Sequence, residues 1–597
     1  MLVKTACPLD CFDACGIVCD TSNPKELLPD PSHPLFNGKL CSLMSKYFPN
    51  EKRITTPKID GKEVSLEEAL DEVAKALKDK KSLLWRGSGN LGVMQEVTNL
   101  LMKEINGYLT HGSLCDEAGI AGIMEGRRIN RQLPLSQIKK ADVVVVWGRN
   151  IPVTNSHLMP FIKGKKLVVI DPVKTSLAKI ADLHLQIKPR TDFYLATLLA
   201  RFFTMEDNQN DQWLLKWGSE FEEFYEFTRT FRIKAILEYM ELSLDDMGDL
   251  MRFLLEEKVV FLVGAGVQKY SIGHYTLWAI DSLAATLGLF GKEGSGVSYL
   301  GSSKAGFKNP FEVKLPTKPK ATVDFSEFET VIIQGGNPAE SMPNSTKVQD
   351  SLKKTKTIYF GLYENETSKL ADIIIPAKSF LEKDDLRLSY GHNFIQKMPK
   401  VYESKIGISE YYFTKEILER LGKENNLKSK EYYLNFWLEQ IKEDKDGNLI
   451  HPLHQEIPYE NGFGEDGEEE FIFIDDFDDD FEDIKIFRKF RKNYKKEKDN
   501  TFWLLSPKYS KSLNTQFQRA NFVHIPPGIG FEDKEMVKIS SSWGEIKLRA
   551  KIDERLRKDC ILIYAGTKGV NSLTPPILSE EGDNACFGEV KVNIQKA

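Results

Sequence analysis

The sequence predicts a multi-domain α/β protein with a cysteine-bearing N-terminal segment and an all-β C-terminal region. Three observations carry that prediction. Continuous β-branched runs such as VVVVW (143–147) alternate with helical stretches from about residue 53 to 430, the mark of parallel sheets covered on both faces. Five cysteines gather in the first 41 residues. From Thr501 onward, short strand-like runs separated by turns replace the alternation. A chain of 597 residues with 41% hydrophobic content supports several cores. Its net charge of −6 argues against a nucleic-acid partner. No apolar run approaches the ~20 residues of a membrane span. The N-terminus MLVKTACPLD has no export signal and no twin arginine, so a cytoplasmic location is expected.

Cys7, Cys11 and Cys15 lie in CPLDCFDAC, and Cys41 follows in GKLCS. Three cysteines at one-turn spacing with a distant fourth match the thiolates that grip one [4Fe–4S] cluster. Structural zinc sites more often use two close pairs. Disulfides suit small exported domains. Cys19, one turn further on, reads as a spare buried thiol.

The elements follow in order. VSLEEALDEVAKAL (64–77) reads as a helix, with Ser65 as its cap. SLLWRGSG is a strand entering a glycine turn, and Met94 to Ile105 is a second amphipathic helix. HGSLCDEAGIAGIMEG holds Cys115 among small residues, where a lone cysteine is ordinarily a packed thiol. Strands are predicted at ADVVVVWGRN, KKLVVIDP and LHLQIKPRTD, the last before a helix that begins near Asp192. KVVFLVGAGV, ETVIIQGGNP, KTIYFGLY and LADIIIPA repeat the strand-then-turn theme. Residues 441–500 form a charged insertion, acidic then basic with interspersed phenylalanines. It reads as a solvated segment whose halves pair, or as a docking surface for an electron carrier. FWLLSPK, NFVHIP, MVKISSSWGEIKLRAKID and CILIYAG are the C-terminal strands.

In open α/β sheets ligands sit beyond the carboxyl ends of the strands. Gly148, Asn150, Asp171, Gly264, Gly266, Gly335, Gly336 and Asn337 fall there. A proper GxGxxG and a GxxxxGK[ST] are both missing, which points to a nucleotide-bearing cofactor other than NAD or ATP.

CPLDCFDAC, GSLCDEAGIAG, VVVWGRNIPVTNSH, VVIDPVKT, IKPRTD, IQGGNPAESMPN and KLADIIIPAKSFLEKDDLRLSYG occur in the order seen in molybdopterin oxidoreductases. The sequence thus resembles the dimethyl-sulfoxide-reductase class over nearly its whole length. Only 441–500 lacks a counterpart. The resemblance implies a [4Fe–4S] cluster on Cys7, Cys11, Cys15 and Cys41, and molybdenum or tungsten held between two molybdopterin guanine dinucleotides. It makes Cys115 the protein ligand of that metal, a soft donor suited to it. It implies that Gly148, Asn150, Asp171, Asp192, Gln268, Gly335 and Asn337 hold guanine, ribose or phosphates. It further implies a C-terminal β-barrel that closes over the pterins, with Asn514 and Asn571 as candidates there. The implied division is 1–52 for the iron–sulfur domain, 53–110 with 330–440 for a first doubly wound parallel α/β domain, and 111–329 for a second. The insertion 441–500 and the barrel 501–597 complete it.

Three departures stand out. Leu43 occupies the place where many members carry Lys or Arg after the fourth cysteine, leaving Lys39 or Lys46 as substitutes. Asp116 follows Cys115 where formate dehydrogenases usually carry His, which disfavours formate. Arg190 replaces a turn glycine, so that turn differs or Arg190 reaches a phosphate. The leading expectation is an oxidoreductase that exchanges an oxygen atom, a sulfur atom or a hydride with a small substrate and passes electrons through the cluster. Asp116, Glu117 and His157 are its candidates for proton handling; Asp116 and Glu117 also read as helix caps, and His157 as a core histidine. The alternatives are a non-redox lyase like acetylene hydratase, served by Asp10 or Asp13, and a metal-free electron-transfer subunit. One cluster without a flavin or NAD motif implies an outside carrier, a ferredoxin or an iron–sulfur subunit.

Overall fold

A computed structural model describes residues 1–48, 53–423, 426–474 and 501–597. It is a mixed α/β assembly of two doubly wound sheets, a small N-terminal sheet and a closed C-terminal barrel. The N-terminal sheet is antiparallel, with strands Leu2–Ala6, Gly16–Asp20 and Asn23–Pro29 in that order. The loop between its first two strands carries Cys7, Cys11 and Cys15.

One sheet has the spatial order Leu183–Leu185, Lys166–Ile170, Val143–Trp147, Val259–Val263, Gly296–Ser298, all parallel. The other orders Ile373–Pro376, Lys356–Gly361, Thr330–Gln334 and Ser82–Arg86 in parallel, with a hairpin (Lys58–Ile59, Lys62–Glu63) at its edge. The central strands are buried along their whole length, which is why they read as unbroken apolar runs. Helices cover both faces. Leu66–Leu77 begins as expected: Ser65 Oγ accepts from Glu68 N–H (3.2 Å), and the Glu68 carboxylate accepts from Ser65 N–H (2.8 Å). The second predicted helix is split into a 3₁₀ turn, Val93–Val97, and an α-helix, Thr98–Glu104.

The two sheets repeat one design. In the first, the strand order reverses at the central pair Val143–Trp147 beside Val259–Val263. In the other, Thr330–Gln334 flanks Ser82–Arg86 on one side and a parallel bridge from Leu83 to Tyr108 flanks it on the other, so the chain likewise leaves this strand in both directions. Gly148 N–H donates to Ile170 O (2.9 Å) and Gly264 N–H to Trp147 O (2.9 Å). In the other sheet Gly335 N–H donates to Phe360 O (2.8 Å) and Gly87 N–H to Gln334 O (2.8 Å). Both sheets also share a KxAD segment, whose Asp182 and Asp372 accept from Leu167 N–H and Thr357 N–H at 2.7 Å each. The signal for this duplication is in the sequence as KIADL and KLADI.

Strands Phe502–Leu505, Cys560–Leu562, Phe522–Ile525, Glu545–Ile552, Met536–Ser540 and Lys591–Lys596 close the barrel in that order. The expected solvated insertion is corrected over part of its length. Tyr459, Phe463, Phe471, Phe473 and Ile474 are buried in the core of the second α/β unit, and Phe471–Ile472 pairs with Gly218–Ser219. Burying several aromatic side chains outweighs keeping the intervening acidic residues in water, because the acids project outward while the rings pack. The rest of the insertion, 475–500, lies outside the described residues. Among the described residues no helix is long and apolar enough to cross a membrane.

Candidate active site

Each of the six pairs among Cys7, Cys11, Cys15 and Cys41 is close enough for one thiol's charge to act on the other. Burial, then neighbouring negative charge, pushes the Cys7 thiol up to about 12 and raises Cys11 and Cys15 well above the ordinary thiol value. Four mutually repelling thiols in one buried volume are costly as thiolates without a cation between them. That donor set fits an iron–sulfur cluster, whose iron supplies the compensating charge. Cys19 stands apart, fully buried, with its sulfur 3.9 Å from Val3 O. It is the spare thiol the sequence suggested.

His157 joins this group from 142 residues along the chain from Cys15. Its Nδ1 lies 2.8 Å from Asp13 Oδ2 and 3.5 Å from Cys15 Sγ, and its Nε2 lies 3.1 Å from Lys39 O. Both ring nitrogens are therefore committed, and the residue is 3% exposed. It is a buried, hydrogen-bonded histidine held against the thiol loop. Leu43 packs among the cluster-loop residues, whereas Lys39 is exposed.

Cys115 lies just before the helix Glu117–Arg127. Ser113 Oγ accepts from the N–H groups of Cys115 (2.7 Å) and Asp116 (3.3 Å). Gln268 donates to Cys115 O (2.6 Å) while its own oxygen accepts from Gly119 N–H (3.0 Å). Lys269 Nζ donates to Leu114 O (2.7 Å) and Cys115 O (2.5 Å). Gln268, expected at a nucleotide, holds the Cys115 loop through one N–H and its carbonyl oxygen. Burial pushes the Cys115 thiol up to about 12, with Asp116 adding to the rise and Lys269 opposing it. Asp116 occupies the cap position, but its side chain caps nothing and instead accepts from Ser113 Oγ (3.2 Å). Burial raises its carboxyl, and burial together with Asp116 raises Glu117 to about 7.

The sequence offers Asp10 only for the lyase alternative, and nothing in it singles out Lys269, Lys508, Tyr390 or Arg149 for this centre. Asp10 and Lys508 act electrostatically on Cys115, and Tyr390 is near Asp10, Cys11 and Cys115 together. Tyr390 thereby joins the two cysteine centres. Arg149 sits inside the GRN turn and is 5% exposed. Its guanidinium lies over the Phe12 ring at 4.0 Å and its Nε donates to Asn155 Oδ1 (3.1 Å). Neither terminal nitrogen has a hydrogen-bond partner among the described residues, and the neighbouring Asn150 Oδ1 is likewise unpartnered. Buried polar groups are normally paired. These atoms mark a polar cradle suited to an anionic ligand.

Gly148 and Gly335 adopt φ of +59° and +58°, a conformation that favours glycine. A Cβ on Gly89 would meet Gly335 O at 2.6 Å, so backbone meets backbone across the switch point. Asn337 receives Thr367 N–H (3.1 Å) and donates to Glu366 and Thr515 (3.2 Å each), linking this cradle to the barrel. Asp171 accepts from Val173 N–H (2.8 Å) and Asp192 from Trp147 Nε1 (2.7 Å); burial raises them to about 7 and about 6. Asn514 is exposed and donates to Asp10 Oδ2 (3.3 Å), and Asn571 donates to Glu340 O (2.7 Å). Arg190 keeps the glycine-like turn with φ of +73°, and its side chain reaches Glu589 (2.7 Å) instead of standing free for a phosphate.

Residues 53–426 match the molybdopterin oxidoreductase family and residues 528–590 the molybdopterin dinucleotide binding domain. Two probable oxidoreductases of Bacillus subtilis are similar. YyaE is 28% identical over 70% of this chain and 69% of its own length. YoaE is 24% identical over 100% of this chain and 98% of its own. A nitrate reductase of Bacillus subtilis and formate dehydrogenase H of Escherichia coli also match. Acetylene hydratase from Pelobacter acetylenicus has the same fold, with a TM-score of 0.75 and 14% identity across 100% of both chains. The family match covers more than half of the sequence and both switch-point sheets: the chain belongs to the molybdopterin oxidoreductase family and is an enzyme of that family.

Proposed function

We propose that this enzyme holds a [4Fe–4S] cluster on Cys7, Cys11, Cys15 and Cys41, and molybdenum or tungsten on Cys115 between two molybdopterin guanine dinucleotides. The single observation that carries the reading is the pair of neighbouring cysteine centres, four thiols in one volume and Cys115 beyond Tyr390. When bound, the metal and its pterins supply two-electron exchange of an oxygen atom, a sulfur atom or a hydride with a small substrate. The protein's part is to hold and orient. Ser113, Gln268 and Lys269 pin the Cys115 loop, so its sulfur is presented from a rigid turn. The GRN and GGN turns offer two equivalent cradles, one for each dinucleotide. Lys508 and Lys269 place positive charge beside Cys115 and favour its thiolate. Asp116, at the same turn, is the group best placed to hold a proton at the substrate side. Reduction or oxidation is completed by an outside one-electron carrier.

Asp10, near Cys115, supports a second reading, a non-redox hydration served by its carboxylate. The first experiment is elemental and nucleotide analysis of protein purified without oxygen. About four irons, about one molybdenum or tungsten and about two guanine nucleotides per chain are expected. Zinc with neither molybdenum, tungsten nor guanine refutes the proposal. A bound metal that no donor or acceptor ever reduces or oxidises favours hydration.

A further inference from the structure

A groove of about 660 Å³ opens beside the N-terminal cysteine centre. Cys41 and His157 form part of its wall, and Met159 and Ile180 supply apolar surface. Ile180 is 69% exposed, unusual for so large an apolar side chain. Lys39 and Lys163 stand exposed at the rim, and among the described residues neither has a carboxylate partner. No Asp or Glu is among the described residues that line the groove, although the chain as a whole is net negative. The other cavity of note, about 280 Å³, differs: its lysines, Lys383 and Lys430 among them, face Glu410 and Asp384. Those charges are already satisfied within the fold, whereas the rim lysines beside Cys41 are not.

We propose that this groove is the docking site for a small acidic iron–sulfur electron carrier. The inference rests on the four-thiol reading above. An acidic rim on the carrier meets Lys39 and Lys163, its apolar contact covers Ile180 and Met159, and Cys41 then lies directly behind the contact. One electron leaves the carrier's reduced cluster, which is oxidised, and enters the centre held by the four cysteines; two such encounters deliver the pair that a two-electron conversion consumes. Complementary charge of this kind chiefly raises the association rate and is screened by salt.

The test uses the holoenzyme and a reduced two-[4Fe–4S] ferredoxin of acidic pI, mixed by stopped flow. Reduced methyl viologen, which needs no docking groove, serves as the comparison donor. Lys163→Glu with Ile180→Glu lowers the second-order rate with ferredoxin at least tenfold at low ionic strength. The corresponding Gln pair falls between it and the parent, and added salt narrows the differences. The viologen rate is unchanged in all of them. Equal ferredoxin rates in the parent and the Glu pair overturn the inference, as does a parent rate indifferent to salt. Failure of the underlying reading is separately visible: the parent then contains no iron and viologen bleaches nothing.

Discussion

Arg149→Met separates a ligand-binding arginine from a structural one. Burial pushes the Arg149 guanidinium down to about 10. The fall from 12.5, at about 1.4 kcal/mol per pH unit, is a cost of about 3 kcal/mol to the cofactor-free fold. The sign is fixed by the protonation states. The group is charged in both folded and unfolded chains below pH 10, so the cost is in full force at neutral pH and fades only as pH rises through 10. Methionine removes that cost and keeps apolar volume beside Phe12. It forfeits a cation–π contact of about 1–2 kcal/mol and a hydrogen bond to Asn155 of about 1 kcal/mol. The balance lies within about 1 kcal/mol of zero, tending to greater stability. The loaded protein behaves differently, because two charged N–H groups no longer meet the anion. Each is worth about 1.5–3 kcal/mol, so guanine dinucleotide is lost at least about tenfold faster. Thermal scans of protein from a host unable to make the cofactor, and nucleotide release from loaded protein, measure the two halves. A melting temperature lower by several degrees without cofactor, together with unchanged nucleotide release, refutes the reasoning. Arg149 is then a structural residue.

Four further outcomes follow from the same geometry. Cys11→Ser removes one thiol from a set in which all four are mutually close, and iron content with the visible cluster absorption falls to a small fraction of the parent. Gly89→Ala drives a Cβ to 2.6 Å from Gly335 O, costing about 1–3 kcal/mol and lowering guanine content on nucleotide extraction. Arg190→Gly is more stable than Arg190→Ala by about 1 kcal/mol in denaturant titration, since both lose the Glu589 pair but only glycine relieves φ of +73°. Asp171→Asn stabilises the cofactor-free protein by about 2–4 kcal/mol at pH 8. A carboxyl raised to about 7 by burial is penalised above that pH and relieved below it, so the gain shrinks as pH falls towards 4 in a melting series.

The four-thiol motif was legible because its ligands are local: three cysteines within nine residues and a fourth in a short loop declare themselves by spacing. The parallel strands were equally legible, since a strand buried on both faces must be apolar throughout. So were the glycines at strand ends, although the pairing of Gly148 with Gly264 and of Gly335 with Gly87 belongs to the sheets. The segment 451–474 was misjudged from its net charge, because composition averages over side chains that point to opposite sides. Helix and strand boundaries near Met94 shifted because a 3₁₀ turn satisfies the same apolar spacing as an α-helix over one turn.

Cys115 shows the limit most clearly. The residue and its helix start are local and were readable, but its surroundings come from distant parts of the chain: Gln268 and Lys269 from the opposite switch-point strand, Tyr390 from the first α/β unit, and Lys508 from the barrel. His157 meets Cys15 across 142 residues. By itself the sequence determined which donors exist, which segments are strands and that two sheets are present, because those follow from side-chain chemistry and short-range periodicity. Only the tertiary structure decided which donors share a volume, which histidine packs against the thiol loop and which arginine keeps two terminal nitrogens without a partner among the described residues. Those properties depend on distances between residues that the covalent chain leaves unconstrained.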